Sequence, residues 1–183
     1  MIRQTRVLVA FLLALASVPG LLVAEPYTYE HDGEPLFSIT FPEGWYVDTD
    51  YMREAKAEGP DTGLRILEAM PSDGTKLWFG IWVAPEKVAD FESALEYVAS
   101  LDGDLFTNVE FSKPLDTTFN GMQAKTFFGV ARRLNENVEF AVALFEPREN
   151  LFTVALYVGR PQTWGKHQAQ LDKVVESIKP AAP

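Results

Sequence analysis

Two imidazoles, His31 and His167, are the only side chains in this 183-residue chain whose ordinary titration falls near neutrality, and no cysteine accompanies them. A hydrolase needs an activated nucleophile with a base in reach, but no serine here sits in a G-x-S-x-G elbow and there is no thiol. His31 lies in EHDGE, read as a flexible polar entry to the fold, and His167 lies three residues after Trp164. Neither has neighbouring ligands in sequence, so each is assigned a structural or solvent role, and no catalytic residue is named. The spacings H-E-x-x-H and C-x-x-C do not occur. Asp48-x-Asp50 and Asp102-Gly103-Asp104 offer oxygen ligands, yet neither continues into a twelve-residue calcium loop, and aspartate at such places ordinarily serves turns and helix ends. The expectation is no metal and no cofactor. Paired carboxylates acting as a hydrolase remain a third reading, because their spacing is spatial and sequence cannot display it. The other chemical resource is aromatic: Trp45, Trp78, Trp82 and Trp164 can either fill a core or line an apolar ligand pocket.

Those residues must be positioned by regular elements, and the chain is rich in signals for them. FSIT (37–40) and Phe41 alternate apolar and hydroxyl side chains as a one-face strand does, Pro42 and Gly44 turn the chain, and Trp45 to Val47 resume an extended pattern. LRILEAMP (64–71) and KLWFGIWVAP (76–85) read as a hairpin about a two-residue Asp73-Gly74 turn. The second strand is apolar on both faces, which places it centrally, with Trp78 and Trp82 on the face that a helix should cover. Val88, Phe91, Leu95, Val98 and Leu101 then recur at helical spacing, and Asp102-Gly103 ends that helix. Four strands follow, at 109–119, 122–132, 138–145 and 151–159, joined by Asn120-Gly121, LNEN and PREN. Connections that short force an antiparallel meander. Trp164, Leu171, Val174, Val175 and Ile178 line one face of a closing helix that Thr163 caps and Pro180 stops. The predicted fold is α+β, an antiparallel sheet flanked by helices, formed by one domain over residues 25–183.

Residues 1–24 read separately. Arg3 and Arg6 precede an 18-residue apolar run ending in Ala24, the pattern of a cleaved secretory signal peptide. An earlier cut near Ala16 and an uncleaved anchor are the alternatives, the second opposed by Pro19 and Gly20. Without cysteine there is no site for lipid attachment at a new N-terminus, so the expected product is periplasmic or secreted, with no membrane insertion after processing. Loss of the two arginines deepens a formal net charge of −10, which disfavours nucleic acid and anionic lipid as partners.

FPEGW near the start, YVGRPQTW before the closing helix and VVESIKP at its end, set in this order of elements, resemble the PsbP-like proteins. Their fold is shared with a nuclear Ran-binding factor and the bacterial envelope protein DcrB. The resemblance implies an α-β-α sandwich without catalysis that serves as a docking or assembly module. It transfers no functional residue, since Phe41, Pro42, Gly44, Trp45 and Ile178 are structural in type. Photosystem association, which belongs to one branch, does not carry over to a chain with a simple bacterial-type leader. The leading expectation is thus an exported, non-enzymatic binding or assembly module with an envelope protein partner. A carrier for a small apolar or amphipathic ligand is the alternative. Partner identity, binding surface and oligomeric state are not legible.

Overall fold

The computed structural model describes residues 26–48, 66–101 and 106–181. The leader, Asp50, Asp102, Gly103 and Asp104 lie outside them, together with the expectations placed on those residues. Contrary to the flexible entry expected of EHDGE, the described chain opens with a hairpin: β1 (Tyr27–His31) and β2 (Glu34–Ile39) pair antiparallel through Asp32 and Gly33, both at positive φ. Two successive left-handed residues match the twist of the flanking strands, which is why Asp-Gly holds the turn.

β3 (Trp45–Asp48), β4 (Leu67–Pro71) and β5 (Leu77–Val83) form consecutive antiparallel pairs. The β4–β5 hairpin is present, but its loop is longer than two residues. Gly74 takes positive φ there, and Asp73 instead accepts the Thr75 amide through Oδ1 at 2.9 Å. Helix α1 (Phe91–Ser100) starts at a reciprocal cap in which Asp90 Oδ1 accepts the Ser93 amide and Ser93 Oγ accepts the Asp90 amide. It begins later than the apolar spacing suggested, because Val88 belongs to the preceding turn.

The segment 109–119 is two strands rather than one. β6 (Thr107–Phe111) and β7 (Leu115–Phe119) lie end to end along β8 (Met122–Arg133), separated at Pro114, which has no amide to give the ladder. β9 (Glu136–Arg148) and β10 (Leu151–Gly159) complete the antiparallel meander. Asn120-Gly121 and Leu134-Asn135 make the two-residue turns on either side of β8, all four residues at positive φ. The eight strands run in the order β3-β4-β5-β10-β9-β8-β6, with β7 also on β8, so β5 and β10 are interior. Gly129 on β8 faces Phe140, where an added Cβ would stand 2.1 Å from its ring and 2.6 Å from the Glu110 carbonyl. Gly129→Ala should therefore cost about 1–3 kcal/mol and loosen β6 from β8, measurable as a lower urea midpoint and faster amide exchange across residues 107–111.

Helix α2 (Pro161–Ser177) is entered through Arg160, with Pro161 at its first turn. Thr163 does not cap it: the Thr163 Oγ1 hydroxyl donates to the Arg160 carbonyl from inside the helix. Nor does Pro180 end it. The chain leaves the helix at Ile178 and becomes β11 (Lys179–Pro180), which pairs with β2. A three-stranded sheet β1-β2-β11 results, so a single pleated layer is replaced by a large sheet with a smaller one packed on it. Reading FSIT, the Pro42–Gly44 corner and Trp45–Val47 as neighbouring strands misses that the corner carries the chain from the small sheet to the large one.

The large sheet separates two apolar cores. On one face α1 covers Trp82, Leu144, Val154 and Leu156. On the other, α2 and the small sheet cover Phe79, Ile81, Phe145 and Ala155. Hydrogen bonds fix the end of α2: Asn120 Nδ2 donates to the Ile178 carbonyl at 2.6 Å, and Ser177 Oγ accepts the Thr40 amide at 2.8 Å. The architecture is α+β, an antiparallel sheet flanked by helices.

Candidate binding cleft

Along α2, Trp164, Gln168, Leu171, Asp172, Val175 and Glu176 follow the i, i+4, i+7 pattern of one helical stripe that lines a cleft, Leu171 buried at its base and Gln168, Asp172 and Glu176 exposed at its rim. Beneath them the sheet presents small side chains. Ala141 and Ala143 on β9 and Ala155 on β10 lie on one face, flanked by Phe79, Tyr157 and Phe128. Alanine side chains are too short to fill the space between strand and helix there. The result is a mainly apolar cleft of about 350 Å³, within the range of small-molecule sites. Past Phe128 it runs out onto sheet that α2 leaves bare, where Leu115, Phe128 and Val130 are roughly half exposed.

Tyr157 lines the cleft, its hydroxyl sealed from solvent, while Thr126, Gln168, Asp172 and Glu176 supply the polar lining. Its side chain is buried, its ring packs 4.6 Å from that of Trp164, and Trp164 in turn meets Phe128 at 6.1 Å. Among the described residues its hydroxyl has no hydrogen-bond partner, as is also true of Thr153 Oγ1. Burial first, and the negative charge of Glu139 second, push the phenol well above its ordinary value of 10. It is a protonated donor at every physiological pH. Sequence reasoning singled out Trp164 but missed Tyr157 and the alanines, because a strand written LFTVALYVG reads as uniform core.

His167 sits nearby, outside the cleft. Buried on α2, it is held by Gln170 Oε1 at 2.7 Å from Nδ1 and Thr75 Oγ1 at 3.3 Å from Nε2, with Asp73 Oδ2 at 3.9 Å. Trp45 crosses its ring edge-on at 6.4 Å and donates from Nε1 to the same Gln170 oxygen. Both ring nitrogens are thereby committed to joining the β4–β5 loop and β3 to α2. His31 ends β1, 3.5 Å from the exposed Asp32 carboxylate and remote in sequence from this cluster. Trp82 lies in the α1 core, Trp78 is half-buried on the same strand face, and Trp45 packs on the opposite side of the sheet.

The β4–β5 loop is tied down through Asp73, whose carboxylate accepts from Lys166 Nζ at 2.5 Å. Those hydrogen bonds, Lys166 first and Thr75 next, hold Asp73 well below the ordinary carboxylate value of 3.8. A depressed folded-state pKa gives stability that is complete above the unfolded value and lost as pH falls through the folded one. Asp73→Asn should accordingly be less stable than the parent near neutrality, with no change in that difference across the mildly acidic to neutral range. The difference should shrink steadily below about pH 4, as read from urea midpoints at stepped pH.

An α+β sandwich with a cleft under its closing helix defines a structural class, and comparison with solved structures gives it a name. No protein-family profile matches the chain, and no curated protein sequence does. The solution structure of cyanobacterial PsbP from Synechocystis is similar, with a TM-score of 0.56 and 14% identity, covering 91% of this chain and 99% of that one. So is a Pseudomonas aeruginosa protein of unknown function, PA94, described as a putative regulator, with a TM-score of 0.54 and 14% identity over 87% of this chain and all of that one. LpqN of Mycobacterium tuberculosis, involved in cell envelope biogenesis, aligns at 0.49 with 12% identity, covering 86% and 90% of the two chains. The fold is PsbP-like, as the sequence motifs suggested.

Proposed function

We propose that the protein is an exported, non-enzymatic binding module of the cell envelope, processed after Ala24, that acts on another envelope protein. The observation that carries this is Leu134. It stands at the tip of the β8–β9 hairpin, 91% exposed and at φ +50°, in a two-residue turn whose geometry favours asparagine or glycine. A left-handed backbone costs a leucine about 1–2 kcal/mol, and solvent returns nothing for its side chain. Strain retained at an exposed apolar tip points to a contact made in a complex. A photo-reactive residue at position 134, in cells, should crosslink to one discrete envelope protein. Leu134→Asn should raise stability slightly while abolishing co-purification of that same protein. Crosslinks spread over many proteins, or undiminished co-purification with Leu134→Asn, would refute the proposal.

A second reading, favoured by the mainly apolar cleft beside α2, is a carrier for a small apolar or amphipathic molecule. Native mass spectrometry of protein purified without detergent tests it through the presence or absence of a retained mass.

A further inference from the structure

We infer that the open groove beside Leu134 receives an acidic segment of the partner protein, an apolar side chain of that segment resting against Trp78 and its carboxylates held by Lys76 and Arg133. This rests on the reading of Leu134 as a partner contact and adds the surface around it and the chemistry of what docks there.

The groove, of about 550 Å³, lies at the end of the large sheet where the β4–β5 loop, the β8–β9 turn and Arg160 meet, and Leu134 forms part of its wall. Glycine opens it. The Trp78 indole lies along β5 over Gly80, where an added Cβ would stand 2.2 Å from the ring, so it leans away from the sheet end and leaves Met70, Val138 and Val158 lining a recess. No residue of α1 lines this recess, and Tyr46, paired with Met70 across β3 and β4, continues the apolar surface at 57% exposed.

Charge complementarity selects the occupant. The chain carries 26 acidic residues against 16 basic ones, yet the groove is lined by Lys76, Arg133 and Arg160 and by a single carboxylate, Glu136. Arg160 claims both oxygens of Glu136. Lys76 and Arg133 make no ion pair among the described residues, and Asp73 in the neighbouring loop is already taken by Lys166. Two such cations beside an apolar recess fit carboxylates that have a hydrophobic neighbour, the arginine offering a fork of donors that matches a carboxylate. A broad anionic surface is turned away. Asp48 and Glu68 lie farther along the same face, and at physiological salt a charge is felt over only about 8 Å, so a narrow segment meets the cations alone whereas a membrane or a nucleic acid would meet the acids as well. A second copy docking through this face would set cations against cations.

Amide chemical-shift titration of the nitrogen-15-labelled protein reads both affinity and place, the probes being the capped peptide Gly-Leu-Phe-Asp-Asp-Leu-Gly and its counterpart with lysine for aspartate. The acidic peptide should shift amides of residues 76–78, 133–138 and 158–160 and bind more weakly as salt is added, and the lysine peptide should leave those amides in place. Arg133→Glu should weaken the acidic peptide about tenfold or more, and Lys76→Glu likewise. Lys87→Glu, an equal change of net charge on an exposed residue beyond the far end of β5, should leave its affinity unchanged. In cells, Arg133→Glu should lose the protein that crosslinks at position 134. An acidic peptide that shifts none of these amides, a lysine peptide bound there as tightly, equal weakening by Arg133→Glu and Lys87→Glu, or phosphatidylglycerol vesicles bound through Arg133 in place of the peptide would each overturn the inference. Should Leu134→Asn lose the crosslinked protein while Arg133→Glu and Lys76→Glu both keep it, this groove is wrong and the reading of Leu134 stands. Arg133-dependent peptide binding with no discrete crosslinked protein would leave the groove standing and that reading overturned. If neither peptide binding nor a crosslink is found, both fall.

Discussion

Phe145→Ala is expected to lower the unfolding free energy by about 3–5 kcal/mol, among the largest effects of any single truncation in this protein. Phe145 is fully buried on β9, and its ring meets Phe37 of β2 edge-on at 5.7 Å and Phe119 of β7 at 6.0 Å. Phe37, equally buried, stacks on Tyr29 at 4.8 Å. The pair therefore ties the small sheet to the large one, and removing either ring leaves a cavity that rigid strands on both sides cannot close. Phe37→Ala should cost a similar amount. The double variant should cost less than the sum, because the two rings share one space and their edge-to-face contact, worth about 0.5–1.5 kcal/mol, is lost only once. Urea unfolding followed by tryptophan fluorescence supplies all four corners of the cycle. A loss below about 1 kcal/mol, or a separate early transition of the small sheet, would show that the two sheets are not one cooperative unit.

What the sequence displayed depended on how local the cause was. Asn120-Gly121 and the alternation of FSIT are decided within a few residues: the turn stands as expected, and the strand is present but runs from Glu34 to Ile39, ending before Thr40 and Phe41. Residues 109–119 read as one strand although Pro114 signals the break, because β propensity on both sides outweighs one missing amide. The small sheet was out of reach for a different reason: β11 is two residues long, too short for any periodicity, and exists only because Asn120 and Ser177 turn the end of α2 toward β2. The hydrogen bonds of His167 carry no local signature, since Gln170 is three residues away and Thr75 is 92. The cleft was hidden most completely. Ala141, Ala143 and Ala155 carry the same letter whether a helix rests on them or stands off, and only the size of their neighbours across the layer decides.

The α1 face should be as sensitive as the α2 face. Trp82→Ala is expected to cost about 3–5 kcal/mol, since Trp82 is 2% exposed and fills the space between β5 and the helix. Its indole Nε1 donates to Tyr97 Oη at 3.1 Å, a buried bond that pins α1 to the sheet. Tyr97→Phe would keep the packing and leave the indole N–H unmet, for about 1–3 kcal/mol, whereas Trp82→Phe would lose both indole volume and bond. At ten residues α1 is too short to be helical by itself in water, so its helicity depends on this docking. Far-ultraviolet circular dichroism and fluorescence of Trp82→Ala should consequently melt together at a lowered midpoint, because α1 and α2 rest on opposite faces of the same strands. Loss of helical signal well before the fluorescence change would mean that α1 detaches alone, and that the large sheet does not transmit a defect from one of its faces to the other.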